Sequence, residues 1–532
     1  MSAALSYKRC FLIGILAGTI ATLVFYIGTE LLGLPYPPEA IFQLLINPVP
    51  GAVQSVAVEN LRQYAKYSAL TFASVIFVII YGAIGTVIGN LSRRKITKWQ
   101  LIGVGTVIAT VLALGLEATF ASSVSVLASI SGWMLVAALA LVVNLGFAAY
   151  VVSSMKIVPP TVTQPTISLT PERRKLLKRV GLGALAIAFV YFASRLGLSL
   201  FSGQPVIQSN TPIPVNTEQQ TSVSLTGAPD IFSDPRIANL VASEVTDTRI
   251  FYRVDIDPFP PQLNFDQWTL NVTGKVNKPL TITKNDLLAM ATSDEYATLE
   301  CVSNTINPPG ALISNAKWTG VALATILNQA GLGSNAVYVI FHCAEGYSVG
   351  IPMERALEPG ALLAYKMNDE LLPMEHGSPL RAIIPGLYGM MNAKWITGIE
   401  VSDSVYLGYW QERGWTNDAQ IKTTSIIYYP QAGAQVSGSL PIAGVAFAGD
   451  RGISKVEVST DGGSTWNAAE LKTPKSPYSW VLWAYEWMPT TNGTQTIIVR
   501  ATDGSGQTQD STSSQPFPNG ATGYNSIEVN VT

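Results

Sequence analysis

The chain has 532 residues, 48% of them hydrophobic and only 13% charged, with a formal net charge of −2. Its length allows several domains, and a positive mean hydropathy with almost no net charge argues against a nucleic-acid partner and for a membrane segment. Three cysteines, Cys10, Cys301 and Cys343, are too few for a disulfide framework.

The apolar excess sits in residues 1–202, which read as a transmembrane region. A membrane helix needs roughly 20 mostly apolar residues. About five segments qualify: 11–33, 68–90, 101–120, 131–152 and 180–200. The Pro-rich start of the loop at 34–67, LPYPPEA, closes the first helix. Basic residues mark the cytoplasmic side of a membrane. Lys8 and Arg9, the cluster from Arg93 to Lys98, and the cluster from Arg173 to Arg179 fall on alternate loops. The expected topology is a multi-pass anchor in the cell membrane with a cytoplasmic N-terminus and an extracytoplasmic C-terminal portion. The approach to the last span, ERRKLLK at 172–178, reads either as a twin-arginine export signal or as a plain positive-inside cluster. No histidine lies in the spans, so they hold no bis-histidine haem, and their expected role is anchoring.

Residues 203–229, rich in Pro, Ser, Thr and Gln, read as a linker. From 230 to 423 strands and helices mix. WTLNVTG (268–274) alternates as a strand, WTGVALATILNQAG (318–331) has helical spacing ending at a Gly331 cap, and AVYVIFHC (336–343) reads as a buried strand. That mixture predicts an α+β domain. From 424 to 532 short strands and turns such as STDGGSTW (459–466) predict an immunoglobulin-like β-sandwich.

The chemistry concentrates in EHGSPLRAIIPGLYGMMNAKW, residues 375–395. Its glycines let backbone amides approach a ligand, Arg381 offers a planar fork for phosphate, and Lys394 a point charge. Cys301, in ATLECVSN, reads by itself as an inert buried thiol, a disulfide partner of Cys343, or a ligand.

The HGxPLRxxxPG…KW pattern, together with IFYRVDIDP upstream, ATLECVSN and VEVSTDGGSTW, resembles the sulfite oxidase superfamily of molybdenum enzymes over about residues 230–532. The resemblance implies a mononuclear molybdenum–molybdopterin cofactor, with Cys301 as the protein thiolate on the metal. A soft, deprotonated sulfur suits that metal. It further implies that His376, Arg381, Asn392 and Lys394 contact the pterin or its phosphate, that Tyr252 and Arg253 sit in an opening strand against it, and that Cys343 is a cofactor-contacting position or a plain core cysteine. Tyr347, five residues before Pro352, is expected as an active-site tyrosine that donates a hydrogen bond near the metal. The sandwich would be a dimerisation-type domain, giving a homodimer.

The chain departs from that pattern in two places. CVSNTINPPG carries no basic residue after the cysteine, and FYRV displaces an arginine of the opening segment. An anion buried without positive partners is costly, so the pocket is expected to be less cationic than a sulfite site. Only two histidines are present, which leaves no haem segment and implies an external electron carrier or quinone. The expected function is oxygen-atom transfer on a small-molecule substrate. The alternatives are a reductase of sulfoxide-type substrates on the same scaffold, or a non-catalytic receptor or adhesin that has lost the metal.

Overall fold

The computed structural model describes residues 7–32, 36–46, 49, 54, 64–92, 97–120, 130–154, 230–257 and 259–532. The chain divides into two compact units, the first built from the N-terminal helices and the second containing residues 228–532.

The first unit holds α1 (Tyr7–Leu32), α2 (Pro37–Ile46), α3 (Tyr64–Leu91), α4 (Lys98–Phe120) and α5 (Ile130–Ser154). Within the described residues, Tyr7–Thr29 and Ser68–Leu91 are long and apolar enough to cross a membrane, and the described parts of α4 and α5 are shorter apolar helices. The expected spans at 101–120 and 131–152 lie within α4 and α5, and the span at 180–200 and the export-like segment lie outside the described residues. The loop expected after the first span contains α2, a turn of chemistry the prolines permit at a helix start.

Small residues let α1 and α3 approach closely. A Cβ at Gly14 would come within 2.5 Å of the Tyr81 carbonyl, and one at Gly85 within 2.8 Å of the Cys10 carbonyl. Tyr81 donates to Asn144 Oδ1 at 2.5 Å, which answers a polar group on α5 with a partner on α3. These contacts hold helices together where apolar faces alone give little preference for one neighbour over another.

In the second unit, one sheet runs β2 (Leu280–Thr283), β1 (Thr269–Gly274), β10 (Ile396–Ser402), β5 (Tyr338–Cys343) and β6 (Ser348–Pro352). Another runs β3 (Ser293–Glu300), β4 (Ile313–Ala322), β7 (Leu362–Met367) and β8 (Glu370–Leu371), with β9 (Arg381–Ile383) paired to β7. The α+β expectation is met here. WTGVALATILNQAG is only half helix: 318–322 finish β4, and the helix, α6, spans Leu323–Ala330. Burial decides the difference. Trp318 and Val321 are enclosed between β3 and β7, while Leu323, Ile326, Leu327 and Ala330 form the buried face of α6. Each large side chain so enclosed contributes about 1.5–3 kcal/mol. Gly331 ends the helix at φ +68°, as expected of a glycine cap.

Beyond residue 424 two sheets face each other, β11 (Thr424–Tyr429), β13 (Leu440–Phe447), β17 (Val481–Trp487) and β16 (Glu470–Leu471) against β12 (Gln435–Val436), β19 (Asn525–Val531), β18 (Gly493–Asp503), β14 (Ile453–Ser459) and β15 (Asn467–Ala468). Trp483, Val456, Val458, Ile497, Val499 and Val529 fill the space between them. Asp461 closes the turn after β14 by accepting from Thr465 N at 2.9 Å, with Gly462 and Gly463 at positive φ. The sandwich also packs on the turn that follows β3. Val302 and Ile306 share a packed group with Phe447, Trp480 and Leu482, and Asn525 Nδ2 donates to the Ile306 carbonyl at 2.8 Å. It therefore fixes the segment that carries Cys301.

Candidate active site

Strand β3 delivers Cys301 at its exit. The Cys301 amide donates to the Leu312 carbonyl at 2.9 Å and its carbonyl accepts from Asn304 N at 3.0 Å. Asn304 then bridges the turn, donating to Glu300 Oε1 at 2.9 Å and accepting from Leu312 N at 3.1 Å. Cys301 opens into a cavity of about 910 Å³, mouth included, whose wall also holds Tyr252, Glu345, Tyr347, His376, Arg381, Asn392 and Lys394. Residues far apart in the chain meet there because β3, β5, β9 and the 389–395 turn converge.

The thiol lies 3.0 Å from Ser303 Oγ. Burial pushes its pKa up, Ser303 opposes, and Glu300 adds to the rise. All three cysteines are free, so a Cys301–Cys343 disulfide does not form. Cys343, the last residue of β5, packs in the core rather than in the cavity wall.

Arg381 is enclosed at 5% exposure. Its Nη1 donates to the His376 carbonyl at 3.0 Å, its guanidinium lies over Trp318 at 4.8 Å, and its Nε has no partner. Among the described residues no carboxylate pairs with it. Burial lowers its pKa to about 10. His376 Nε2 lies 2.9 Å from the Thr248 carbonyl, and burial, then Arg381, lower its pKa to about 4, so the ring is neutral.

Lys394 forms an ion pair with the buried Asp255 and lies over the Trp395 ring at 4.3 Å. Tyr252 is in the wall, but residues 251–254 belong to no strand, so the opening strand expected is not formed there. Arg253 is not among the wall residues, but its guanidinium lies 3.6 Å from Asp255, which is. Asn392 belongs to the wall, yet its amide is engaged with backbone: Oδ1 accepts from Ile384 N at 2.7 Å, and Nδ2 donates to the Leu387 and Tyr388 carbonyls at 3.2 and 3.1 Å. Its role is to hold the 384–388 loop.

Tyr347 also differs from expectation. Its hydroxyl donates to the Met390 carbonyl at 2.6 Å, and burial, then Cys343 and Glu345, raise its pKa strongly. The phenol keeps its proton and directs it to the 389–391 turn.

Sequence reasoning did not single out Glu345, Trp415 or Gln54. Glu345 is 7% exposed with Oε2 unpartnered, and burial raises its pKa well above a carboxyl's ordinary value. Trp415 and Gln54 complete the wall. No motif marked them, since each reaches the cavity through tertiary packing.

Residues 257–410 match the family described as oxidoreductase molybdopterin binding domain, and residues 415–516 match the Mo-co oxidoreductase dimerisation domain. Residues 257–516 thus carry the two domains of a sulfite-oxidase-type molybdopterin oxidoreductase. Among curated relatives of the superfamily, mitochondrial sulfite oxidase of Rattus norvegicus is 28% identical over 355 residues, covering 58% of this chain and 65% of the relative. Sulfite oxidase of Arabidopsis thaliana is 27% identical, covering 52% of this chain and 85% of the relative. The solved sulfane dehydrogenase SoxCD of Paracoccus pantotrophus aligns at 22% identity and a TM-score of 0.44, over 57% of this chain and 91% of that one. The chain thus spans just under two-thirds of the rat relative's length.

The residues present suit a pterin cofactor with an anionic phosphate. A buried guanidinium without a carboxylate partner awaits an anion, and an unpartnered buried carboxyl oxygen awaits the N–H groups a pterin carries. A side chain at Gly389 would collide with the Tyr252 hydroxyl, so the wall needs glycine there. A free thiol stands in the same wall.

Proposed function

We propose that the chain is a membrane-anchored molybdopterin oxidoreductase that transfers an oxygen atom in a two-electron reaction on a small-molecule substrate. The observation that carries this reading is the unpaired, buried Arg381 in one wall with Cys301. Arg381, with His376 as a neutral neighbour, would hold the cofactor's phosphate; Glu345 would accept from its pterin; Cys301 would bind its molybdenum after losing a proton. When bound, the cofactor supplies the oxygen-atom and two-electron chemistry. The chain's own residues orient it and exclude water: Tyr347 fixes the 389–391 turn, and Asn392 fixes the loop before it.

For an oxidase the balance is sulfite plus water giving sulfate, two protons and two electrons. For a reductase it is a sulfoxide plus two protons and two electrons giving a thioether and water. The electrons pass to or from an external carrier, a quinone or a redox protein. His342, 3.0 Å from Glu400, and His376 on the Thr248 carbonyl both have other partners, which supports a carrier outside the chain. The second direction is favoured by one feature of the sequence: CVSNTINPPG carries no basic residue after the cysteine. The apolar helices and alternating basic loops support several membrane crossings with residues 230–532 outside the cytoplasm, and the matched dimerisation domain supports a homodimer.

The test is turnover by the full chain purified from a host that makes molybdopterin. Sulfite oxidation with an electron acceptor, or sulfoxide reduction with a reduced carrier, supports the reading. A molybdenum-loaded protein that performs neither refutes it.

A further inference from the structure

Two strong cations line the cavity, Arg381 and Lys394, and their neighbours treat them differently. Arg381 bonds to the His376 carbonyl, and among the described residues no carboxylate pairs with it. Lys394 has a carboxylate of its own. Its ammonium pairs with Asp255, and the same carboxylate lies 3.6 Å from Arg253 Nη2. Asp255 lines the cavity with Lys394, whereas Arg253 does not. The lysine is fixed along its length. Its stem runs past Gly377, where a Cβ would come within 3.0 Å of Lys394 Cβ and Cγ, and its ammonium lies over the Trp395 ring at 4.3 Å. Of the pair, Lys394 keeps 14% of its side chain exposed and Asp255 only 1%. A ligand entering the cavity can touch the lysine, and it feels the charge of the enclosed carboxylate at short range.

A carboxylate so enclosed is costly, and opposite charges at its sides keep it ionised. Among the described residues the lining holds one other carboxyl, Glu345, which burial keeps protonated. Asp255 is therefore the wall carboxylate that offsets a cation. An anion that reaches Lys394 meets a pair close to neutral in sum and loses most of the attraction that an unpaired ammonium gives. We infer that Asp255 is a specificity-determining residue: by neutralising Lys394 it keeps isolated inorganic anions from settling in the cavity, which stays open to a ligand that carries its phosphate on an organic body. This rests on the proposed molybdopterin enzyme and states how that same site discriminates. Free phosphate gains from Arg381 alone. A phosphate on an organic body gains as well from what that body buries against the wall, where Tyr252, Ile256 and Trp395 stand.

The experiment uses the full chain from a host that makes no molybdopterin, with inorganic phosphate as the probe at neutral pH and fixed ionic strength, and binding followed by calorimetry. The native chain should bind phosphate with a Kd above about 1 mM, as one charge-assisted contact allows. Asp255→Asn keeps the shape and removes the charge, and it should bind phosphate at least about tenfold more tightly, because the Lys394 ammonium is freed. Adding Lys394→Met to that variant should abolish the gain, which ties it to the lysine rather than to a loosened fold. A native Kd below about 1 mM overturns the inference from the native chain alone, even where the variant fails to fold. Unchanged phosphate affinity in a folded Asp255→Asn protein, or a gain that survives Lys394→Met, also overturns it. The molybdopterin assignment is judged separately, by the molybdenum content of the chain from a competent host. A failed phosphate contrast leaves that assignment standing, and a chain without molybdenum leaves the phosphate contrast readable.

Discussion

Replacing Arg381 by methionine tests whether the cavity is built for an anion. In the cofactor-free protein the guanidinium is buried at 5% exposure, and its pKa falls from 12.5 to about 10. That difference corresponds to a burial cost of about 3 kcal/mol. Methionine also loses the bond to the His376 carbonyl, worth about 1.5 kcal/mol for a charged donor, and the contact with Trp318, worth about 1 kcal/mol. The balance leaves cofactor-free Arg381→Met about 0.5 kcal/mol more stable than the native chain, close to neutral. Its capacity to load the cofactor should fall at least about tenfold, because a charge-assisted contact to phosphate is gone. Urea unfolding followed by the fluorescence of the buried Trp318 and Trp395 reads the first quantity, and molybdenum content reads the second. A cofactor-free variant destabilised by more than about 2 kcal/mol, loading molybdenum as the native chain does, would show that Arg381 is a structural residue and refute the reasoning.

Asn392→Ala removes three buried hydrogen bonds to the 384–388 loop and strands the Ile384 N–H. At about 1 kcal/mol for each bond plus the stranded donor, it should destabilise the protein by about 4 kcal/mol. A loss below about 1 kcal/mol in urea unfolding would contradict the positioning role. His376 supplies a pH signature. Its pKa is lowered in the folded state to about 4 from 6.5, so the unfolded chain binds the extra proton first as pH falls. Stability attributable to His376 is whole above pH 6.5 and is lost progressively toward pH 4, by about 3 kcal/mol in all. His376→Gln should lack that component, so its stability difference from the native chain should change across this window; a difference independent of pH would show that the ring does not titrate as described.

Much of the site was legible because its chemistry is local. The segment 375–395 places His376, Arg381, Asn392 and Lys394 within one loop and strand, and Cys301 follows directly from β3, so motif and site coincide. What the sequence did not disclose depends on distant neighbours. Asn392 and Tyr347 read as ligand contacts, but the backbone of the 384–391 loop takes up their hydrogen-bonding groups. Lys394 reads as a free point charge, but Asp255 pairs with it. Glu345 and Trp415 belong to no local pattern, and only packing reveals their missing partners. The misread start of α6 has the same origin: an apolar run fits both periods, and the flanking strands β3 and β7 decide it.

The central claim is that this cavity holds a molybdenum cofactor on Cys301, and metal analysis tests it most directly. Full-length protein made in a host that supplies molybdopterin should contain about one molybdenum per chain, as a single-thiolate site requires. Cys301→Ser should lose the metal or change its spectrum while retaining the native fold. A folded native chain without molybdenum, or a Cys301→Ser protein whose metal content and spectrum match it, would contradict the account.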